Sequence, residues 1–190
     1  MGSCAPPLSE EQKASTKDLN TKLEEAASQK GAAGVVQVVD ESGEKFTESN
    51  VTHAIHSFAS SIKSGDDVAS LSKKPGFQVL IDMVLTGLHR YPEEALARVV
   101  EDCGRLGLDE GMLLDEIGRH LMDRVPHMLG QDLVALVKGY AGTQHSPSIL
   151  LFHAISDRLK ELGEEVIDAE AKKAVDEAFD SLGYSKLKPF

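Results

Sequence analysis

The feature that most constrains the fold of this chain is an internal repeat, because residues 93–125 and 130–162 have nearly the same apolar pattern. When the second stretch is shifted back by about 37 positions, its apolar residues fall on those of the first. Each copy contains an apolar helical stretch, a short polar turn and a second apolar stretch. Such a hairpin cannot bury its apolar face alone and needs neighbours. The matching pairs are Val99 and Leu136, Val100 and Val137, Cys103 and Tyr140, Leu113 and Leu150, Leu114 and Leu151, and, after a slip of one position, Ile117 and Ile155.

An earlier copy of the hairpin precedes these two. Its additional residues, roughly nine, fall in a polar loop at 63–76, and insertions in repeat proteins map to such loops. The alignment places Phe77 and Ile81 about 36 positions before Leu113 and Ile117, and Ile55 and Phe58 about 45 positions before Val100 and Cys103.

Together the three copies predict an all-α fold, a short α-solenoid of about three helical hairpin repeats. Aromatic residues make up only 5% of the chain and tryptophan is absent, which suits helices packed through aliphatic side chains. The predicted repeat core consists of Ile55, Phe58, Phe77, Ile81, Val100, Cys103, Leu113, Ile117, Val137, Tyr140, Leu150 and Ile155.

Three regions are expected along the chain: an N-terminal tail and extension (1–47), the repeat domain (48–163), and a C-terminal capping helix with its tail (164–190). Within the first region, we expect a tail over 1–16, either mobile or laid along a partner, and a helix over 17–30 that Gly31 ends. The run VVQVV at 35–39 looks like a strand, but helix or irregular structure is favoured in a helical-repeat chain.

Turn chemistry places further helix boundaries. Thr47 has good N-cap chemistry for a helix that follows it. Helices are also predicted over 131–142, 146–162 and 168–182, with Ser146 and Pro147 as the N-cap and first-turn pair of the second.

Four stretches resemble a particular superfamily of helical repeats: ESNVTHAIHSFAS, PGFQVLIDMVLTGL, EEALARVVEDCGRLGL and QDLVALVKGYAGT. They are similar to the octotricopeptide and heptatricopeptide repeats of organellar proteins, which also occur in FAST-kinase-like proteins that end in a RAP domain. Each unit there begins with a helix of the kind seen from Asn50 to Ala59. The resemblance covers about 48–182, and no RAP-like domain follows Gly163. It implies a helical-repeat fold, an organellar and above all mitochondrial location, and roles in RNA binding, RNA processing or ribosome structure.

The charge of the chain points toward protein partners. Its formal net charge is −11, and its pI is near 5.0, so that most of its surface would repel a phosphate backbone. We therefore expect a non-catalytic interaction protein, a structural or assembly subunit of a larger multiprotein complex, for which the resemblance implies an organellar location. The alternative is an organellar RNA-binding factor or mitochondrial ribosome component, to which no RNA-contacting residue is assigned.

The carboxylate pairs along the helices have two interpretations. They form a solvated acidic face, or they dock a basic partner such as a ribosomal protein. The pairs are Glu93-Glu94, Glu101-Asp102, Asp109-Glu110, Asp115-Glu116 and Glu164-Glu165.

No catalytic, cofactor or metal site is predicted. The chain lacks GxSxG, GxxxxGK[ST], GxGxxG and HExxH, and the acidic turn at 40–44 lacks the ligand spacing of an EF-hand. Cys103 lies on an apolar helical stripe, where a reduced core thiol is the favoured interpretation.

The histidines are interpreted as packing or surface residues. His53 and His56 are spaced i, i+3, but further zinc ligands are missing, so solvated helix residues are favoured over a zinc site. His120 falls on an apolar stripe and is expected to pack. His127, His145 and His153 are expected at turns or helix surfaces.

The N-terminus MGSC suggests a lipid anchor as a further hypothesis. Gly2 could carry myristate and Cys4 palmitate, giving a membrane-tethered adaptor, but Pro6 stands where the acylation pattern has Ser or Thr. No run approaches the roughly 18 apolar residues that span a membrane. The N-terminus also lacks a secretory h-region and the acid-poor composition of a transit peptide.

Overall fold

The structure is a computed structural model, and the residues it describes are 9–63, 67–143, 145–163 and 167–190. The described residues form helices, turns and irregular segments without any strand, so the all-α prediction is confirmed. The chain divides into two compact units, Met1–Tyr91 and Pro92–Phe190. The predicted repeat domain, 48–163, takes residues from both units, and its boundaries stay a prediction.

Within the described residues, five α-helices lie in the first unit and five in the second. Those of the first are α1 (Glu10–Lys30), α2 (Ala32–Ser42), α3 (Glu48–Ser61), α4 (Val68–Ser72) and α5 (Pro75–Gly87). Those of the second are α6 (Glu93–Leu106), α7 (Gly111–Leu121), α8 (Gly130–Thr143), α9 (Ile149–Leu162) and α10 (Ala169–Ser181). Short 3₁₀ turns follow α2, α5, α7 and α10 at Gly43–Lys45, Leu88–Arg90, Val125–His127 and Ser185–Leu187.

Helix α1 begins well before the position that the sequence pattern predicts. The expectation of a tail over 1–16 is wrong for residues 10–16, which are helical, while 1–8 lie outside the described residues. Ser9 and Gln12 form a capping box: the Ser9 hydroxyl accepts from the Gln12 amide at 3.2 Å, and the Gln12 side chain accepts from the Ser9 amide at 2.9 Å. These bonds satisfy amides that would otherwise be unpaired at the helix start. Gly31 ends α1 with a φ of 65°, as expected.

The start of α3 is tied to α1 by one buried amide. Asn50 is fully buried, and its side chain donates to the Asn20 side chain at 2.7 Å and to the Thr16 carbonyl at 2.9 Å. Its Oδ1 accepts from the amide of Thr47, which is the N-cap of α3 as predicted. The polar atoms of the Asn50 side chain thus all have hydrogen-bond partners, and two of these bonds join α3 to α1.

The run at 35–39 is helical and lies within α2. Val35, Val36 and Val39 are buried at positions i, i+1 and i+4, which is the spacing of one helix face. Gly34 allows this helix to approach α1, because a Cβ at that position would lie 2.5 Å from the Ala26 carbonyl oxygen. Of the two favoured interpretations of this run, helix and irregular structure, the structure has the helix. A turn was expected at 40–45, but the helix continues to Ser42.

The polar loop predicted at 63–76 contains a short helix. Helix α4 starts where the Asp67 side chain accepts from the Ser70 amide at 3.0 Å, and α5 begins at Pro75. The loop prediction is therefore wrong for residues 68–72 and 75–76, and residues 64–66 lie outside the described part. Helices α3 and α5 pack through Phe58 and Phe77, whose ring centroids are 4.6 Å apart.

In the second unit, α6 and α8 pack against each other through glycines. A Cβ on Gly139 would lie 2.5 Å from the Val100 carbonyl carbon, and a Cβ on Gly142 would lie 2.5 Å from the Gly104 carbonyl oxygen. Both contacts advance toward the carboxyl ends of the helices, so the helices run parallel. At their edge, Lys138 Nζ lies 3.5 Å from Glu101 Oε1. A parallel pair of this kind is what two successive copies of the repeat require of their first helices.

Helix α10 packs on α8, and the C-terminal residues fold back onto the unit. The Tyr184 hydroxyl donates to the Pro147 carbonyl at 2.6 Å, and its ring centroid is 5.0 Å from that of Phe152. Helix α10 runs nearly over its predicted range of 168–182, and the Asp168 side chain caps it by accepting from the Ala171 amide.

Eleven of the twelve predicted core residues are buried, and Leu150 is the exception. Leu150 is 67% exposed, whereas its neighbour Leu151 is 1% exposed. The cause is the helix start: Ser148, rather than Ser146, is the N-cap of α9, and its hydroxyl accepts from the Leu150 amide at 3.3 Å. This start directs Leu151 into the core and leaves Leu150 in the solvent-exposed first turn.

We expect Gly139→Ala to lower the free energy of unfolding of the second unit by about 1–3 kcal/mol, because the added methyl group would overlap the α6 backbone. A matched control is Gly111→Ala, whose Cβ has its nearest neighbour, an atom of the His145 ring, at 3.6 Å. The control should be neutral or stabilising by up to about 1 kcal/mol. Urea unfolding followed by far-UV circular dichroism measures both, and equal stability of the two variants would contradict the glycine contact.

Candidate functional site

The most unusual polar cluster of the second unit surrounds His145, in the connection between α8 and α9. Its Nδ1 lies 3.1 Å from Asp109 Oδ1, and its Nε2 lies 3.0 Å from Asp115 Oδ1. The His145 side chain is 15% exposed, whereas the two carboxylates are more than half exposed. We call these three residues the His145 clasp, because they tie the α8–α9 connection to α7 and to the residues before it.

Each nitrogen of the His145 ring faces one carboxylate oxygen of the clasp. An ionised carboxylate only accepts hydrogen bonds, and a neutral imidazole has a single N–H to donate. In either tautomer the ring therefore donates to at least one of the two aspartates, and the clasp links the α8–α9 connection to α7 and to the residues before it.

Tyr140 packs beside the clasp and fixes α8 against α7. Its hydroxyl donates to the Leu114 carbonyl at 2.8 Å, and its ring is stacked near the His145 ring with centroids 6.4 Å apart. Burial raises the pKa of Tyr140, with smaller contributions from Asp115 and Cys103. The phenol therefore keeps its proton and remains a hydrogen-bond donor.

A groove of about 390 Å³ opens between α7 and α9 beside the clasp. Its lining combines apolar residues, most of which are buried, with three charged residues. The apolar lining consists of Leu114, Gly118, Met122, Pro147 and Leu151, and the charged lining consists of Asp115, Arg119 and Asp123, with Tyr140 and Ser148 completing it. Arg119 is ion-paired with Glu116 one helical turn before it. A volume of this size lies in the range of about 300–1,000 Å³ that binding sites commonly have.

Gly118 creates the space in which α7 meets α8 and α9. A Cβ at that position would lie 2.8 Å from the Tyr140 hydroxyl oxygen and 3.2 Å from Leu151 Cδ2. Any larger residue would push Tyr140 away from Leu114 or would fill the groove. The shape of the groove thus depends on a glycine in the middle of a helix, where glycine costs about 1 kcal/mol relative to alanine.

The sequence pattern predicts a turn or surface position for His145, and it does not predict the contacts of His145 with Asp109 and Asp115. A signal was nevertheless present in the repeat. Asp109 lies in the polar turn of one copy, and His145 lies in the corresponding turn of the next copy, 36 positions later. Adjacent copies bring equivalent turns together, so a histidine and a carboxylate there become neighbours.

Cys103 is buried in α6, where the repeat pattern placed it. Burial, together with smaller contributions from the nearby Asp102 and Glu110, raises the pKa of the Cys103 thiol to about 12. The thiolate is the reactive form of cysteine, and this environment disfavours it.

The two histidines of α3 have different partners. His53 contacts α1, where its Nε2 lies 3.2 Å from Glu24 Oε1, and His56 Nε2 lies 3.4 Å from the hydroxyl of Ser60 on the same helix. Across the described ranges, no group of three or more histidine, cysteine, aspartate or glutamate residues is placed to hold a metal ion. Among the other histidines, His120 is half-buried, His127 is exposed and His153 is 57% exposed.

The possible lipidation sites, Gly2 and Cys4, lie outside the described residues. In the part of the chain that the structure describes, no helix combines the length and the apolar character needed to cross a bilayer.

Comparison with protein-family models, with curated proteins and with solved structures found no match to this chain. The resemblance to octotricopeptide and heptatricopeptide repeats stays a prediction, and the function is argued below from the residues themselves.

We expect His145→Gln to lower the free energy of unfolding of the second unit by about 1–2 kcal/mol, because glutamine cannot donate to both carboxylates in the imidazole geometry. His153→Gln is the matched control, since its ring is 57% exposed and lies 3.9 Å from Asp157. The control should change stability by no more than about 0.5 kcal/mol. Urea titration measures both variants, and a loss of the same size in each would mean that the clasp contributes nothing particular.

We expect the Cys103 thiol to be unreactive in the folded protein. In a Cys4→Ser variant, which leaves Cys103 as the sole cysteine, an aromatic disulfide reagent at about pH 8 should find almost no thiolate. One equivalent should react once urea unfolds the chain. Reaction of the native variant at the rate of an unfolded thiol would show that Cys103 is accessible and ionised.

Proposed function

We propose that the chain is a non-catalytic helical-repeat interaction protein that serves as a structural or assembly subunit of a larger organellar, and specifically mitochondrial, multiprotein complex. The observation that carries the proposal is the position of exposed apolar side chains. Met112, Ile149 and Leu150 are 73%, 54% and 67% exposed, respectively. They lie in the first turns of α7 and α9, the two helices that form the groove. Exposed apolar side chains on the surface of a folded unit are typical of protein-binding surfaces.

The second unit has a well-filled core and yet leaves several large apolar side chains exposed, and this contrast supports the proposal. Its interior is closed by large buried side chains, including Tyr140, Phe152 and Phe179. Fully burying one aliphatic or aromatic side chain contributes about 1.5–3 kcal/mol, so sequences fill a core before they leave such groups in solvent. Burial against a partner would recover the free energy that Met112, Ile149 and Leu150 do not contribute in the isolated chain.

The chemistry of the site also supports a binding role. The phenol of Tyr140 and the thiol of Cys103 are held in their protonated forms by burial. Both nitrogens of His145 face carboxylates. None of these three groups is presented to the groove as a nucleophile or a base.

The RNA-binding alternative follows from the sequence resemblance, and the charge of the groove weighs against it. Of the charged residues that line the groove, Asp115 and Asp123 are carboxylates, and Arg119 is already paired with Glu116. A phosphate backbone would meet carboxylates there rather than the basic stripe that nucleic-acid surfaces present.

The test is purification of a tagged chain from its native source, with and without ribonuclease. We expect a defined set of proteins to remain bound after ribonuclease treatment. A Met112→Ser, Ile149→Ser and Leu150→Ser variant should lose most of that set, because it removes three exposed apolar side chains without touching the core. The matched control is Val79→Ser, an exposed apolar residue of the first unit (42% exposed), which should retain the partners.

Loss of the partners from the unmodified chain on ribonuclease treatment, or recovery of bound RNA, would overturn the proposal in favour of the RNA-binding alternative. Intact-mass measurement of the same purified material examines the lipid-anchor hypothesis, since acyl groups on Gly2 and Cys4 would add their masses.

A further inference from the structure

We infer that Met112 is a modification site, at which oxidation of the thioether to a sulfoxide releases the protein partners of the second unit. Such a role rests on the proposed function, because the sulfoxide forms on the surface that binds those partners. Three observations carry it: the exposure of Met112 compared with the other methionines, its position relative to Leu150, and the chemistry of the side chains that follow it on α7.

Met112 is the most exposed of the four methionines that the structure describes. It is 73% exposed, whereas Met128 is 2% exposed, and Met83 and Met122 are half-buried. A peroxide oxidises methionine only by direct contact with the sulfur atom, so the rate of oxidation follows the access of solvent to that atom. Dilute peroxide is therefore expected to modify Met112 first and to leave the buried Met128 unchanged.

Met112 also has the same position in its helix as Leu150. Each is the second residue of its helix, α7 or α9, in successive copies of the repeat, and each is exposed. The His145 clasp ties the residues before α9 to α7, so the first turns of the two helices belong to one side of the unit. Of the three exposed apolar residues there, Met112, Ile149 and Leu150, Met112 alone has a side chain that peroxide oxidises.

The modification is a two-electron oxidation of sulfur by a peroxide. A lone pair of the Met112 sulfur attacks one oxygen of hydrogen peroxide, an S–O bond forms, and the O–O bond breaks. The hydroxide that leaves takes up the proton of the transferred hydroxyl group, so the products are methionine sulfoxide and water. Sulfur is oxidised and the peroxide is reduced. Methionine sulfoxide reductases reverse the modification.

The sulfoxide removes the property of Met112 on which binding depends. The thioether is flexible and apolar, whereas the sulfoxide is polar. The side chains one helical turn further along α7 are the carboxylates of Asp115 and Glu116. Ionised carboxylates accept hydrogen bonds and cannot donate one to the sulfoxide oxygen. Burial against an apolar partner would separate that oxygen from water, and burial of an unpaired polar group is unfavourable.

The first experiment maps the oxidised positions by mass spectrometry of peptides from the folded full chain after treatment with dilute hydrogen peroxide. We expect sulfoxide to form at least about tenfold faster at Met112 than at Met128, and both residues to react alike once urea unfolds the chain. Equal rates at the two residues of the folded chain would overturn the inference. Far-UV circular dichroism establishes that the chain stays folded during the treatment.

The second experiment measures binding after the peroxide has been removed with catalase. The probe is the set of proteins that remains bound to the tagged chain after ribonuclease treatment. We expect oxidation to reduce the retained set about tenfold. Incubation of the oxidised chain with methionine sulfoxide reductase should restore it.

Two leucine variants separate Met112 from the other methionines. Met112→Leu keeps an apolar side chain of similar size without sulfur, so its partners should remain bound after peroxide treatment. The matched control is Met83→Leu, which makes the same change at a half-buried residue of the first unit and should lose its partners on oxidation as the unmodified chain does.

Loss of partners from peroxide-treated Met112→Leu would overturn the inference, because another residue would then be responsible. Undiminished binding by a chain with sulfoxide at Met112 would overturn it as well. In that case the proposed function still stands if the variant with serine at 112, 149 and 150 loses its partners. If the untreated chain retains no protein at all, the proposed function fails, and the regulatory role of Met112 fails with it.

Discussion

Helices α6 and α8 meet backbone to backbone at Gly104, Gly139 and Gly142, and the arrangement of the second unit depends on that contact. Two helices that carried side chains at these positions would stay farther apart, at the usual separation of about 8–10 Å. The close approach brings Val100 of α6 against α8 and fixes the register of the pair. Helix α8 also packs on α10, and the C-terminal residues fold back onto the α8–α9 connection through the hydrogen bond from Tyr184 to Pro147.

The groove is a consequence of this geometry. Helices α7 and α9 follow α6 and α8, and they approach each other through Gly118 and Leu151. The His145 clasp and the hydrogen bond from Tyr140 to Leu114 then hold α7 against the α8–α9 connection. These polar contacts are directional, so they fix the groove walls in a way that apolar packing alone does not. A fixed groove loses little conformational freedom on binding a partner, which favours affinity.

The fold class was accessible from the sequence, since apolar residues recur with helical spacing through most of the chain. The repeat alignment also identified eleven buried residues, because burial on a helix follows from that spacing. The prediction that Leu150 is buried was wrong because α9 is capped by Ser148 rather than Ser146. The position of the helix start decides which of the two neighbouring leucines faces the core. The early start of α1 was missed although the capping pair Ser9 and Gln12 was visible, because the residues that follow it are polar.

The site was less accessible from the sequence than the fold. The His145 clasp joins residues that are 30 and 36 positions apart, and local pattern assigns each of them to solvent. The groove depends on Gly118, whose role is visible only when Tyr140 and Leu151 are placed beside it. Long-range side-chain contacts of this kind are set by how helices pack, and helical periodicity within a single stretch does not specify them.

The most direct test of this account is a nuclear Overhauser spectrum of the isotopically labelled protein, examined for contacts between the α-protons of Gly104 and Gly139. The close approach of α6 and α8 predicts a strong cross-peak between them, and a second one between Gly139 and Val100. Absence of both cross-peaks in a folded sample with assigned glycine resonances would contradict the account. The helices would then pack at an ordinary distance, and the groove between α7 and α9 would lose its structural basis.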